Sequence, residues 1–174
     1  MRRPIQNVLG ALLLITALIC TQIPALPTAA STQASGDMIM EGSTLVQYVG
    51  TAKTLVIPSS VKSIGENAFA ACTTLESVSI PTDVTSIGGA AFSNCTSLKS
   101  VYIKGSGLRS LGDGAFAGCT SLKSVHIPAG LTSMGYKPFD GCTALTTITI
   151  DPANPAFVLQ DGKLFTKDLK KQVI

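Results

Sequence analysis

His126 is the only histidine in the chain, and four of its five cysteines, Cys72, Cys95, Cys119 and Cys142, stand 23, 24 and 23 residues apart. A histidine works as a general base only beside a nucleophile and an orienting carboxylate. Four cysteines hold a tetrahedral metal only where they converge on a point. They pair as disulfides only where their Cβ atoms face one another. The sequence has no glycine-rich phosphate loop and no carboxylates paired at matched positions. What these residues can do therefore depends on the elements that carry them.

The cysteine spacing is shared by other residues. Phe69, Phe92, Phe116 and Phe139 repeat at the same intervals, as do Leu75, Leu98, Leu122 and Leu145. The longer interval comes from one extra residue in Lys104-Gly105-Ser106-Gly107, which replaces the Pro-x-x linker of the other copies. A period of about two dozen residues identifies a stacked repeat, since one such unit cannot enclose its own apolar side chains.

Within a copy, Leu75, Val78 and Ile80 alternate with Ser77 and Ser79, the period of a half-buried strand. Pro81 ends it for want of an N–H. Val84 and Ile87 form a second inward edge. Gly88, with Gly65, Gly112 and Gly135, is expected to supply a backbone angle that a β-carbon resists. Ala91, Phe92, Cys95 and Leu98 fall at i, i+1, i+4 and i+7, which predicts a short helix or helical turn on the outer side. The expected fold class is α/β: a solenoid with short strands on one face, short helices or turns on the other, and about four full copies of 23–24 residues.

Stacking decides the chemistry. Ladder cysteines carry parallel Cβ vectors, so they are read as buried free thiols packed as small hydrophobes, not as disulfides or a metal site. His126 falls in a solvent-facing column, Val56, Ser79, Tyr102, His126 and Thr149, where it is an exposed strand residue without a triad. Asn94-Cys95-Thr96 fits a glycosylation acceptor, but its middle residue belongs to the buried ladder and the site is discounted. A parallel column reads Thr54, Ser77, Ser100, Ser124 and Thr147, flanked by Lys53, Glu76, Lys99, Lys123 and Thr146. Tyr102, His126, Lys99 and Lys123 break this monotony and are the candidate binding patch, since aromatic side chains carry much interface energy. No catalytic residue, cofactor or metal is expected.

The pattern Leu-x-x-Val-x-Ile-Pro-x-x-Val-x-x-Ile-Gly-x-x-Ala-Phe-x-x-Cys resembles the BspA-like leucine-rich repeats of bacterial surface and secreted proteins. The resemblance covers residues 43–174. Leu45-Val46-Gln47-Tyr48-Val49-Gly50 resembles that family's opening strand, and Asn154-Pro155-Ala156-Phe157 onward, through Asp168 to Ile174, its closing element. Asp161-Gly162 between apolar alternations is independently a hairpin signal. Lys104 in place of proline, Pro138 in place of alanine and Met134 in place of isoleucine depart from the pattern. The resemblance implies a non-catalytic module that adheres to host, matrix or neighbouring-cell macromolecules, with a protein or glycan ligand. Members of the family continue past the last strand, so the stop at Ile174 suggests a truncated or very short member whose apolar end invites self-association. The alternative is a structural fragment or spacer of a larger repeat assembly.

At 174 residues, 45% hydrophobic and 13% charged, the chain suits one domain with an aliphatic core. Its start stands apart. Arg2 and Arg3 precede an apolar run over residues 8–19, and Thr28-Ala29-Ala30 offers a cleavage site, so residues 1–30 read as a signal peptide. The run falls short of the ~20 residues that span a bilayer. An uncleaved anchor and a lipid on Cys20 are the alternatives to secretion. Residues 31–51 then form a linker and opening strand, 52–144 four repeats, and 145–174 the last repeat strand with a hairpin-like cap. Signal removal takes two arginines from a net charge of +3, leaving +1. Nucleic acid and anionic membrane, which need a clustered basic footprint, are not expected partners, and the expected location is secreted or at the cell surface.

Overall fold

The computed structural model describes residues 36–167. The signal peptide, Cys20, Asp168 and Ile174 of the sequence reading lie outside them.

An antiparallel hairpin opens the fold, β1 (Met38–Glu41) on β2 (Thr44–Tyr48). Each following turn contributes a longer strand and a two-residue strand: β3 (Thr54–Val56) and β4 (Ser63–Ile64), β5 (Ser77–Ile80) and β6 (Ser86–Ile87), β7 (Ser100–Ile103) and β8 (Ser110–Leu111), β9 (Ser124–Ile127) and β10 (Ser133–Met134). Then come β11 (Thr147–Ile150) and a second hairpin, β12 (Phe157–Gln160) with β13 (Lys163–Thr166). The long strands stack in parallel as β3-β5-β7-β9-β11, and the short ones follow β2 as β4-β6-β8-β10. The result is a leucine-rich-repeat β-solenoid of about five turns, one more than the four full copies expected.

The strands obey the alternation read from sequence. Val78 and Ile80 are fully buried, while Ser77 and Ser79 are half-buried on the outer face. Between the two strand columns lie the repeated core residues. Phe69, Phe92, Phe116 and Phe139 stack face to face at 4.6, 5.0 and 5.6 Å, and Tyr48 tops the column 5.2 Å from Phe69. Leu75, Leu98 and Leu122 form a second fully buried column beside them.

The outer side corrects the α/β expectation: no helix occurs among the described residues. Backbone donors there do not reach back to i−4. Asn67, Phe69 and Ala71 donate forward to the carbonyls of Gly89, Ala91 and Ser93 on the next turn, at 2.7–3.0 Å. The residues between close short turns, such as Ala70 N to Asn67 O at 3.0 Å. Two left-handed residues per turn, Ala90 and Asn94 in one copy and Gly114 and Gly118 in the next, make this possible and interrupt any α-helix. Helical spacing of apolar residues therefore arose from a ladder of turns.

The glycine ladder also has another cause than expected. Gly88 and its equivalents are absent from the positive-φ positions. A β-carbon on Gly88 would lie 2.7 Å from the Glu66 nitrogen. Glycine is needed there for the close approach of successive backbones, whose Gly88 N–H donates to Ile64 O at 2.8 Å.

Asn154 ends the column of Val61, Val84, Leu108 and Leu131, 23 residues after the last of these. It is 1% exposed. Its Nδ2 donates to Pro128 O (2.8 Å) and Leu131 O (2.9 Å), and its Oδ1 accepts from the nitrogens of Ala156 and Phe157 (both 2.8 Å). The amide thus satisfies the carbonyls of the preceding turn and starts the hairpin that buries Phe157 and Leu164. Asp161 and Gly162 both have positive φ, 51° and 75°, the backbone of a type I′ turn.

Candidate functional site: the strand face

The long strands present the patch residues. Parallel pairing sets Val56 beside Ser79, Ser79 beside Tyr102, and His126 beside Thr149, so the predicted column exists in space. The exception is the step from β7 to β9. There only Ser100 and Ser124 pair, whereas β5–β7 and β9–β11 each hold four pairs. Behind this seam Val101 and Ile103 are half-buried, unlike Val78 and Ile80 one turn earlier. An apolar cavity of about 10 Å³, lined in part by Val101, Ile103, Val125 and Ile127, lies within it. That is at the lower limit for a single water, and its walls offer no hydrogen bonds.

Tyr102 and His126 stand on the two sides of the seam, both exposed, the tyrosine at 61%. Their neighbours divide the patch. His126 Nδ1 lies 3.0 Å from Thr149 Oγ1, so the imidazole is held toward β11. Lys99 Nζ donates to Glu76 Oε2 at 2.6 Å, on the side of β5. Glu76 also binds Lys53 at 3.2 Å. The hydrogen bond from Lys99, followed by that from Lys53, holds the Glu76 carboxyl below the usual carboxylate range. Lys123 enters no ion pair among the described residues. The structure thus brings Tyr102, His126 and Lys123 around one seam and turns Lys99 away into a Lys-Glu-Lys row. The position of Glu76 between Lys53 and Lys99 in one column was visible in sequence; the pairing was not drawn from it.

Sequence reasoning missed an exposed ring on the turn side. Tyr136 is 65% exposed, with Lys137 Nζ 5.7 Å above its ring. Its backbone N–H donates to Asp113 Oδ1 at 2.6 Å, and Lys137 pairs with Asp140 at 3.7 Å. The departure Gly135-Tyr136-Lys137-Pro138 from the repeat pattern was the available signal.

The ladder cysteines are thiols. Cys95, Cys119 and Cys142 each donate Sγ–H to a phenylalanine carbonyl of the preceding turn, Phe69, Phe92 and Phe116, at 3.0, 3.1 and 3.1 Å. The Cys119 thiol is pushed up to about 12. Its hydrogen bond with Cys142 pulls it down, but the bond with Cys95 and burial outweigh that pull. The bond with Cys119, then burial, push Cys142 upward as well. Such thiols are poor nucleophiles at neutral pH. Among the described residues no group of three or more His, Cys, Asp or Glu side chains could hold a metal, and no helix is long and apolar enough to cross a membrane.

Comparison with known proteins agrees with this geometry. Residues 43–158 match the BspA type leucine rich repeat region, in six copies. A leucine-rich repeat protein from Bacteroides capillosus is 29% identical over 66% of this chain and 99% of its own, with a TM-score of 0.57. The pneumococcal vaccine antigen PcpA shares the fold at 24% identity over 72% of this chain, 38% of its own length and a TM-score of 0.58. The leucine rich repeat protein of T. pallidum does so at 24% identity, 68% and 71% coverage and a TM-score of 0.55. No curated protein matches the chain. With the repeat register, the stacked strands and the matched region all in accord, the chain belongs to the BspA-type leucine-rich repeat family.

Proposed function

We propose that this chain is a non-catalytic protein-binding module, secreted or held at the cell surface, which adheres to host, matrix or neighbouring-cell macromolecules through its strand face. The observation that carries the reading is the exposure of Tyr102 and His126 on facing strands at the one weakly paired step of the long-strand sheet. Up to the last turn the phenylalanine, cysteine and leucine ladders are consumed by the core. Adhesion is what the family likeness implies, and the signal-peptide reading of residues 1–30 supplies the export. A fold constrains function weakly, so the support at residue level is this patch.

The test is binding of the purified chain to matrix-protein-coated surfaces and to intact cells. Tyr102→Ala with His126→Ala should lower binding about tenfold or more, as loss of an interface hot spot does. Tyr136→Ala, on the turn side, should change it little. Equal binding by all three proteins would remove the strand face from consideration.

The structural reading keeps one observation in its favour. Cys142, Leu145, Ile148 and Ile150 are only half-buried at the last turn, an apolar margin on which a further repeat unit or a second copy could stack. Sedimentation of a monomer independent of concentration would count against it.

A further inference from the structure

We infer that the strand face takes an acidic protein segment, an extended chain bearing carboxylates, with Lys123 as the receiving cation and Glu76 as the group that restrains its neighbours. This inference rests on the reading of the strand face as the contact surface, and adds the chemistry of the partner.

Charge on the solenoid is sorted by side. At the starts and exits of the long strands stand Lys53, Lys99, Lys104 and Lys123, against Glu76 and Asp151. On the outer turns the exposed charges are Glu66, Asp113 and Asp140, against Lys137, while beside the short strands Lys62 pairs with Asp83 and Arg109 donates to the Ser106 and Gly130 carbonyls. The two strand-side carboxylates are both engaged. Glu76 is shared by Lys53 and Lys99, and Asp151 Oδ1 accepts the Ala153 N–H at 2.9 Å. Lys104 and Lys123, both exposed, enter no ion pair among the described residues. Lys104 follows the strand that carries Tyr102, and Lys123 precedes the neighbouring strand, its N–H bonded to Lys99 O at 3.3 Å. A cationic face with a central aromatic ring is complementary to carboxylates carried near an apolar or aromatic side chain.

The rest of the face favours a polypeptide over a sulfated sugar. Ser77, Ser100, Ser124 and Thr147 set a row of short hydroxyls at the interstrand spacing of about 4.8 Å. Small donors and acceptors in a row suit the N–H and C=O groups of an extended backbone and leave room for it to approach. Contacts of this kind are individually weak and screened by salt.

The Glu76 row yields a distinctive expectation. Removing its charge frees two lysines beside the patch, so a substitution of a surface carboxylate should strengthen binding.

The test uses the full-length chain and fluorescent octapeptides in low salt, read by anisotropy. An alternating Glu/Ser peptide should bind and an alternating Lys/Ser peptide should not. Lys123→Glu should weaken the Glu/Ser complex about tenfold, Glu76→Gln should tighten it about threefold, and 0.5 M salt should largely abolish it. Thermal melts of both variants check that the fold is kept. The inference is overturned if wild type ignores the Glu/Ser peptide, if Lys123→Glu binds it equally, or if a heparin fragment binds where the peptide does not. The same preparations in the matrix and cell assay separate the two levels. Adhesion that depends on Tyr102 and His126, without affinity for the Glu/Ser peptide, overturns only the acidic-segment inference. Adhesion indifferent to Tyr102 and His126 overturns the strand-face reading itself.

Discussion

The turns around Phe69 and Phe92 and those around Phe116 and Phe139 are built from the same pattern, yet they stack differently. In the first pair the rings lie 4.6 Å apart and all three residues of β3 pair with β5. In the second the rings lie 5.6 Å apart, and the sheet between β7 and β9 is joined at one register pair. The cysteine and leucine columns stay buried through Cys119 and Leu122, and only at the last turn are Cys142 and Leu145 half-buried. The weak pairing of β7 with β9 coincides with the one irregular linker, Lys104-Gly105-Ser106-Gly107. A regular repeat keeps its ladders tight and its outer face uniform. Where the register is disturbed, the strand pairing loosens, and there the outer columns carry their distinctive side chains.

The comparison is broken most directly in the core. Phe92→Ala should cost about 3–5 kcal/mol, and Phe139→Ala, with one ring neighbour at the wider spacing, about 2–3 kcal/mol. Urea titrations of both variants check this, and equal losses would erase the distinction between the halves. Asn154 marks where the looser half is closed. Asn154→Ala leaves the Pro128 and Leu131 carbonyls without their buried donors and should cost about 1–3 kcal/mol by the same titration.

The thiols sharpen the contrast by pH. Cys119 is raised from 9.0 to about 12 in the folded chain, so folding favours its protonated form. Its contribution is fully present below pH 9 and is lost as pH rises from 9 toward 12. The urea midpoint of the wild type should therefore fall across that window, and fall less steeply in Cys119→Ala.

A smaller effect separates a ladder of turns from a helix. Ala90 sits at φ 50°, and the next copy places Gly114 at 55° in the corresponding turn. Ala90→Gly should relieve left-handed strain and leave stability unchanged or raised by about 0.5 kcal/mol. A helix would lose about 1 kcal/mol on that substitution. A differential melt of the two proteins decides it.

Much of this architecture was legible in the residues. The recurrence of Phe, Cys and Leu at a shared interval could only be satisfied by stacking, and the Ser/Val/Ser/Ile alternation set the strand faces correctly. The helix was misread because spacings of one, four and seven are also produced by turns that bond forward to the next copy; periodicity reports which residues are inside, not the path between them. The glycines at 65, 88, 112 and 135 were recognised as necessary for the wrong reason, since contact between successive backbones is invisible within one copy. The patch was located by its unusual letters. Its partition, with Lys99 drawn to Glu76 and His126 to Thr149, depends on side-chain directions across neighbouring turns that a linear pattern does not hold.

The most direct measurement is an alanine scan along one column of the strand face, Val56, Tyr102, His126 and Thr149, read as adhesion to matrix-coated surfaces. All four share the same position in their turns, and they differ in side chain and in their place relative to the seam. Loss of binding should peak at Tyr102 and His126, and Val56→Ala, on the regular half and 58% exposed, should bind within about twofold of wild type. A flat profile, or one that peaks at Val56, would contradict the claim that function sits where the repeat is disturbed.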